Sequence, residues 1–315
     1  MSDQLMNFAR RWFHNCRVPL VEVDGLPLPP FYLTRDAWSK HLNSIRAMKL
    51  RGDDVIICAY PKAGTHWVWE MTAMLLKEQA EYESRAKELL MLDLTPVKKL
   101  DVLPSPRILN THLPFLMLPV QQILAERVKV VHVYRNPKDV MVSMYHHMRQ
   151  FPLVRGHADS LQQCLQAFLT GRVIYGHYGH FLNQMNSFME DNPGVPVFNI
   201  AYEDIKKQCK RICALLTVGQ DPRDSVRRLA EFLGVDVTQE LVEDIVEACS
   251  FSKMKKVDEI KEQVAFFGMP IGQKLYRKGK VGDWENHLTE EESQLFDTDF
   301  SKVLDTTRFH FQDRL

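Results

Sequence analysis

The chain carries four short β-branched runs: residues 54–60 (DVIICAY), 107–111 (RILNT), 129–134 (KVVHVY) and 196–202 (PVFNIAY). The first and third are apolar almost throughout rather than alternating, the pattern of strands covered on both faces. Helical spacing lies between them. Val68, Met71 and Leu75 recur along residues 67–79, and Val140 and Met144 along residues 137–149. Residues 162–189 form a mixed stretch with room for one or two helices. Strands alternating with helices predict an α/β fold with a central, mainly parallel β-sheet flanked by helices. No internal repeat or low-complexity linker divides the chain, so residues 1–315 are expected to form a single domain with its core in 51–300. Residues 1–50 read as an extended and helical N-terminal segment, with the Pro-rich piece 25–31 (GLPLPPF) as an extended lead-in.

Composition narrows the function classes. At 45% hydrophobic, 25% charged and 10% aromatic residues, the chain is an ordinary globular protein, not a disordered, collagenous or disulfide-scaffold one. Forty Lys and Arg balance forty Asp and Glu, so it lacks the electrostatic footprint of a nucleic-acid or membrane-surface binder. An anionic ligand must be met by a local cluster. Six cysteines without a C-x-x-C pair suggest reduced thiols and no metal site. No secretory h-region or 18-residue apolar run occurs, which predicts a cytoplasmic protein with no membrane partner.

Four segments carry candidate chemistry. In Tyr60-Pro61-Lys62-Ala63-Gly64-Thr65-His66-Trp67, a strand-to-helix turn, Gly64 permits a tight bend and Thr65 suits the N-cap. Free amides at a helix start, with Lys62 at the mouth, make an anion site. It is not a Walker A loop, because Lys62 precedes Gly64 instead of following a second glycine. In Arg135-Asn136-Pro137-Lys138-Asp139, Asn136 is a candidate N-cap, Pro137 suits the first helical turn and Asp139 favours the dipole. Ser143 falls one turn later, and a guanidinium beside a hydroxyl suits a phosphate monoester. Arg277-Lys278-Gly279 sets two cations before a glycine, a turn able to close over a phosphate. In Asn110-Thr111-His112, a histidine stands at the end of a strand, where ligands of open α/β sheets gather. Each segment taken alone also reads as an ordinary capped turn, solvated loop or structural histidine.

Taken together and in order, these segments resemble the cytosolic sulfotransferases. Residues 60–67 are similar to that family's Y-P-K-[ST]-G-T-[TN]-W, residues 111–114 to its T-H-L-P, and residues 277–284 (RKGKVGDW) to its R-K-G-x-x-G-D-W. Residues 202–204 resemble its Y-E-D, and residues 249–254 (CSFSKM) its T-S-F-x-x-M. The resemblance implies a P-loop-NTPase-like fold and a transferase moving the sulfuryl group of PAPS (3′-phosphoadenylyl sulfate) to a hydroxyl or amine of a small apolar acceptor. PAP would be the product, and no metal is required. It makes His112 the general base and Lys62, with the amides of Ala63, Gly64, Thr65, His66 and Trp67, the holder of the sulfate end. Arg135, Ser143, Arg277, Lys278 and Gly279 would hold the 3′-phosphate. Trp67 and Phe251 would sandwich the adenine, with Tyr202, Cys249 and Met254 beside it. Acceptor candidates, at a pocket to which residues 1–50 contribute, are Asn110, Thr111, Phe31, His147, Phe151, Phe266 and Phe267. A phenol, steroid, alcohol or amine would fit such a pocket.

The sequence departs from the family in ways that matter. Asn110 stands where many members carry a lysine, so charge assistance beside His112 is expected to be lost. His66 replaces Thr or Asn and is expected still to donate to the sulfate. Ala63 and Cys249 replace hydroxyl residues. The interval from Tyr202 to Gly234 is longer than usual, an expected loop insertion. A family dimer motif is degraded at Glu285, Thr289, Glu290 and Gln294, so a monomer or an atypical homodimer is expected. Two alternatives stand beside a working sulfotransferase: a nucleotide kinase of related fold, and a catalytically weak PAPS- or PAP-binding protein.

Overall fold

The computed structural model describes residues 19–30, 32, 34–150, 159–207, 222–261, 265–266, 269–270, 276–304 and 307–311. A hairpin opens the described chain, β1 (Val21–Val23) antiparallel to β2 (Leu26–Leu28). The Pro-rich lead-in is therefore partly a strand, with Pro27 opposite Glu22 and its carbonyl turned away from the hairpin. That carbonyl accepts Tyr175 N at 2.8 Å.

The four apolar runs become β3 (Val55–Ala59), β4 (Ile108–Thr111), β5 (Lys129–Tyr134) and β6 (Val197–Ala201). They form one parallel sheet in the order β4-β3-β5-β6, with Val55 paired to Ile108 on one side and Lys129 on the other. All five residues of β3 are buried, which is why its sequence does not alternate. The helix Thr65–Lys77 returns from β3 with a nearly continuous buried surface that includes Val68, Trp69, Met71 and Leu75. The mixed stretch resolves into two helices, Leu161–Leu169 and Tyr178–Asp191. Tyr60 stacks on Tyr178 at 4.6 Å and donates to Gly176 O at 2.6 Å, joining the end of β3 to the second of these helices.

The two edges of the sheet do different work. At the amino edge, buried Arg107 grips Asp54 through Nε–Oδ1 at 2.8 Å and Nη2–Oδ2 at 2.5 Å, a bidentate staple between the starts of β3 and β4. At the carboxyl edge, β3, β4, β5 and β6 end at Ala59, Thr111, Tyr134 and Ala201. Each is followed at once by a segment singled out above, beginning Tyr60, His112, Arg135 and Tyr202. One sheet edge collects them all. Of the interval from Tyr202 to Gly234 with its expected insertion, residues 208–221 lie outside the described residues, and the helices Tyr202–Lys207 and Pro222–Leu233 lie on either side.

Candidate active site

The turn after β3 differs from expectation in its cap. Gly64, with φ 115° and ψ 18°, is the N-cap, and Thr65 is the first helical residue. Only glycine takes that dihedral at little cost. A Cβ at Gly64 would also stand 2.8 Å from Tyr202 Cδ2. Thr65 Oγ1 does not cap the helix; it is buried without a hydrogen-bond partner among the described residues. Lys62 holds φ 68°, a left-handed conformation that costs a non-glycine residue about 1–2 kcal/mol. An uncapped helix start, an orphaned hydroxyl and a strained lysine fit an anionic group binding here.

Arg135 joins this turn to the second basic segment. Its Nη1 reaches Lys62 O at 3.4 Å and its Nη2 reaches Lys280 O at 3.2 Å. Its guanidinium lies 4.1 Å over the Tyr202 ring. Tyr178 fixes the Arg135 backbone, accepting from its N–H and donating to its C=O, both at 3.0 Å. Asn136 caps the next helix as expected, its Oδ1 accepting from Lys138 N at 2.9 Å. Asp139 does more than favour a dipole. Its oxygens accept Gly282 N at 2.9 Å and Trp284 N at 3.1 Å, and Oδ2 lies 3.4 Å from Arg135 Nη2. Arg277 and Lys278 converge on Asp283, at 2.6 and 2.9 Å. Burial pushes the Asp283 carboxyl up, but these two cations outweigh it and hold it well below the usual carboxylate range. Ser143 is half-buried on the helix Pro137–Gln150.

The adenine candidates share one slot. The Lys206 ammonium stands 5.3 Å from the Trp67 ring centroid and 5.0 Å from that of Phe251. Gly279, with φ 57°, lies so near Phe251 that a Cβ there would be 2.2 Å from Cδ2. Met254 is buried below. Cys249 turns toward the core instead, its Sγ 3.9 Å from Met74 Sδ.

His112 is pinned from two sides. Its ring Nδ1–H donates to Ala59 O at 2.6 Å, and its backbone N–H is taken by Asp93 Oδ1 at 3.1 Å. Burial, then the Lys87 ammonium, push its pKa down to about 3. The imidazole is neutral, and the bond at Nδ1 leaves the lone pair on Nε2. His66 departs from expectation. Its Nε2 pairs with Glu88 Oε1 at 2.9 Å, and burial followed by Lys87 lowers it to about 4. Its donor is thus spent on a carboxylate rather than offered to a sulfate. The expected loss of charge beside His112 is also corrected. Lys87, buried on the 3-10 turn Lys87–Leu90, donates from Nζ to Asn110 Oδ1 at 2.9 Å. Neither Lys87 nor Glu88 was found from the sequence, because residues 80–106 show no strong period.

Of the acceptor candidates, His147 comes to the site: burial, then Lys62, His66 and His112, hold its pKa well below the ordinary value. Thr111 is buried, and its Oγ1 accepts from Leu113 N at 3.0 Å. Asn110 is likewise engaged, with Lys87. Phe266 lies in a two-residue strand paired to Met269–Pro270. Phe31, Phe151 and Phe267 fall outside the described residues.

Fold and site define an α/β protein that gathers cations and free helix amides around a neutral imidazole, equipment for chemistry on a phosphorylated or sulfated ligand. A sulfotransferase domain model matches residues 52–308. Human sulfotransferase 1C2 is 29% identical over 310 residues, covering 94% of this chain and 96% of its own. Dog sulfotransferase 1A1 is 30% identical over 319 residues, with 95% and 97% covered. A crystal structure of mouse sulfotransferase SULT7A1 complexed with PAP superposes with TM-score 0.70 at 26% identity, covering 92% of this chain and 96% of that one. This chain belongs to the sulfotransferase family. Among the described residues no group of His, Cys, Asp and Glu is arranged to hold a metal ion, and no helix is long and apolar enough to cross a membrane.

Proposed function

We propose that this sheet edge binds PAPS and directs its sulfuryl group to a hydroxyl or amine of a small apolar acceptor, with His112 as general base. The observation that carries the reading is the His112 Nδ1–Ala59 O bond of 2.6 Å, which fixes the ring and leaves the unprotonated lone pair on Nε2. PAPS fits the residues present: Thr65 Oγ1 and Arg135 Nε are buried without partners among the described residues, and a Cβ on Gly64 or Gly279 would collide with Tyr202 or Phe251. Lys62 and the amides of Gly64, Thr65 and His66 hold the sulfate end; the expected Ala63 and Trp67 amides are instead spent on Tyr60 O and Gly64 O, both at 3.1 Å. Arg135, Ser143, Arg277 and Lys278 hold the 3′-phosphate, while Trp67 and Phe251 flank the base.

PAPS supplies a sulfuryl group already joined to a good leaving group. His112 Nε2 accepts the acceptor proton as the acceptor oxygen or nitrogen bonds to sulfur. The sulfur–oxygen bond to the nucleotide breaks, and its electron pair leaves on the phosphate oxygen. Lys62 and the helix amides stabilise the charge gathered there. A low His112 pKa keeps the base unprotonated at neutral pH, and the close packing around it orients the acceptor.

Buried Cys58 and Cys164, both reduced thiols, support a cytoplasmic setting. At the degraded dimer motif, Thr289 Oγ1 accepts from Glu292 N at 3.2 Å and Glu292 Oε2 from Thr289 N at 2.9 Å. This capping box starts a helix, which supports a monomer or a dimer through another face.

The test is transfer of radiolabelled sulfate from PAPS to a panel of phenols, steroids, primary alcohols and arylamines, with ATP as rival donor. His112→Ala is expected to lower turnover by about 10²–10⁴ while PAP still binds. Substantial turnover by that variant would remove His112 from the base role. Transfer from ATP alone would favour the kinase.

A further inference from the structure

A buried ammonium is costly unless it is well partnered. Lys87 is 3% exposed, yet among the described residues no carboxylate lies within salt-bridge distance of its Nζ. Its partner is neutral. Nζ donates to Asn110 Oδ1 at 2.9 Å, and Asn110 Nδ2 returns a bond to Lys87 O at 3.0 Å. One amide therefore holds both the head and the backbone of this lysine. Asn110 lies on β4, and His112, two positions on, is the first residue past the end of that strand. The nearest acid in sequence, Glu88, is taken by His66. With one N–H given to Asn110, the ammonium has donors to spare.

We propose that Lys87 is the cation of the transfer site, delivered to His112 by Asn110, where it stabilises negative charge on the transferring group and keeps the imidazole neutral. This inference rests on the reading of His112 as base. Asn110 then acts as an adaptor: it replaces a charge on the strand with one borrowed from a turn 23 residues away. Other groups face His112 as well. They are Lys62 and His66 from the turn after β3, His147 from the helix Pro137–Gln150, the Tyr175 ring at 5.5 Å, and Asp93 at the backbone N–H. The variants must change Lys87 alone among these.

Lys87→Gln keeps a donor for Asn110 Oδ1 and removes the charge. The double variant Lys87→Asn with Asn110→Lys exchanges the pair and restores a charge. In ligand-free protein carrying labelled histidine, NMR titration reads the His112 pKa, and calorimetry with PAP reports that the site is folded. Lys87→Gln is expected to raise the His112 pKa by about one unit and to lower kcat by about 10²-fold. Binding of PAP should change little, and the exchanged pair should recover both losses. A folded, PAP-binding Lys87→Gln protein with unmoved His112 titration or unchanged kcat would overturn the proposal. So would an exchanged pair that binds PAP and recovers neither quantity. Turnover by His112→Ala would instead overturn the base reading, while the titration still reports whether Lys87 acts on the imidazole.

Discussion

Replacing Asp139 by Asn tests whether the phosphate grip is assembled by this one carboxylate. In the native protein Oδ2 serves Gly282 N at 2.9 Å and lies 3.4 Å from Arg135 Nη2, while Oδ1 serves Trp284 N at 3.1 Å. A carboxamide has one acceptor oxygen, so whichever way it turns, its NH₂ meets an N–H donor. The less costly rotamer keeps Gly282 and Arg135 and abandons Trp284 N. A lost bond to a charged acceptor, with a donor left unsatisfied, costs about 2–3 kcal/mol. For a chain of this size that lowers the apparent melting temperature by about 3–5 °C. The consequence for binding is selective. Once the G-D-W turn loosens, Arg277 and Lys278 lose their fixed place relative to Arg135, so affinity for PAP should fall more than affinity for adenosine 5′-phosphate, which lacks the 3′-phosphate. Calorimetry with both nucleotides and a thermal melt give the answer. A variant with native melting temperature and an equal loss for both nucleotides would refute the reasoning.

Two further outcomes follow from single contacts. Gly279→Ala forces a Cβ to within 2.2 Å of Phe251 Cδ2 at a φ of 57°, so strain and overpacking should together cost about 2–4 kcal/mol; a calorimetric PAP affinity equal to that of the native protein would count against a close-fitting base slot. Glu203 is fully buried, and burial raises its pKa to about 7 against the opposing Asn136 N–H and Arg135. A carboxyl raised on folding contributes stability in full below its ordinary pKa, and that contribution is lost as pH rises through about 7. Glu203→Gln, which keeps an acceptor for Asn136 N, should therefore be the more stable protein at pH 8 by roughly 3 kcal/mol. The advantage should close toward pH 4.5, and parallel melting curves from pH 5 to 8 would contradict it.

Much of the architecture was legible because it is written in local pattern. A strand buried on both faces must be apolar almost throughout, and residues 55–60 and, His132 apart, 130–134 are. The turns proposed to bind phosphate stand out in the sequence for a similar reason: each carries glycine or a cation at a fixed offset within one segment. What stayed hidden depends on partners distant in sequence. Asp139 looks like any first-turn acid until Gly282 and Trp284 fold onto it. Thr65 outranks Gly64 as a cap on side-chain chemistry, yet the nearness of Tyr202 gives that place to glycine. Lys87 sits in a stretch without periodicity, and the bridge of Met91 to Asn110 brings that residue to it.

The placement of charge gives the two ends of the site different physics. At the 3′-phosphate end, Arg277 and Lys278 already share Asp283, and Arg135 already lies against Asp139. On the proposed reading, a phosphate arriving there would exchange partners with carboxylates instead of filling an open positive hole, so that a chain with no net charge could hold a highly charged nucleotide selectively. Geometry then decides affinity, since the cations must be placed for two oxygens at once. At the proposed transfer end Lys87 has, among the described residues, only an amide for its direct partner. No carboxylate exchange offsets the gain when negative charge builds up beside it, so this is where electrostatics acts on the barrier rather than on binding.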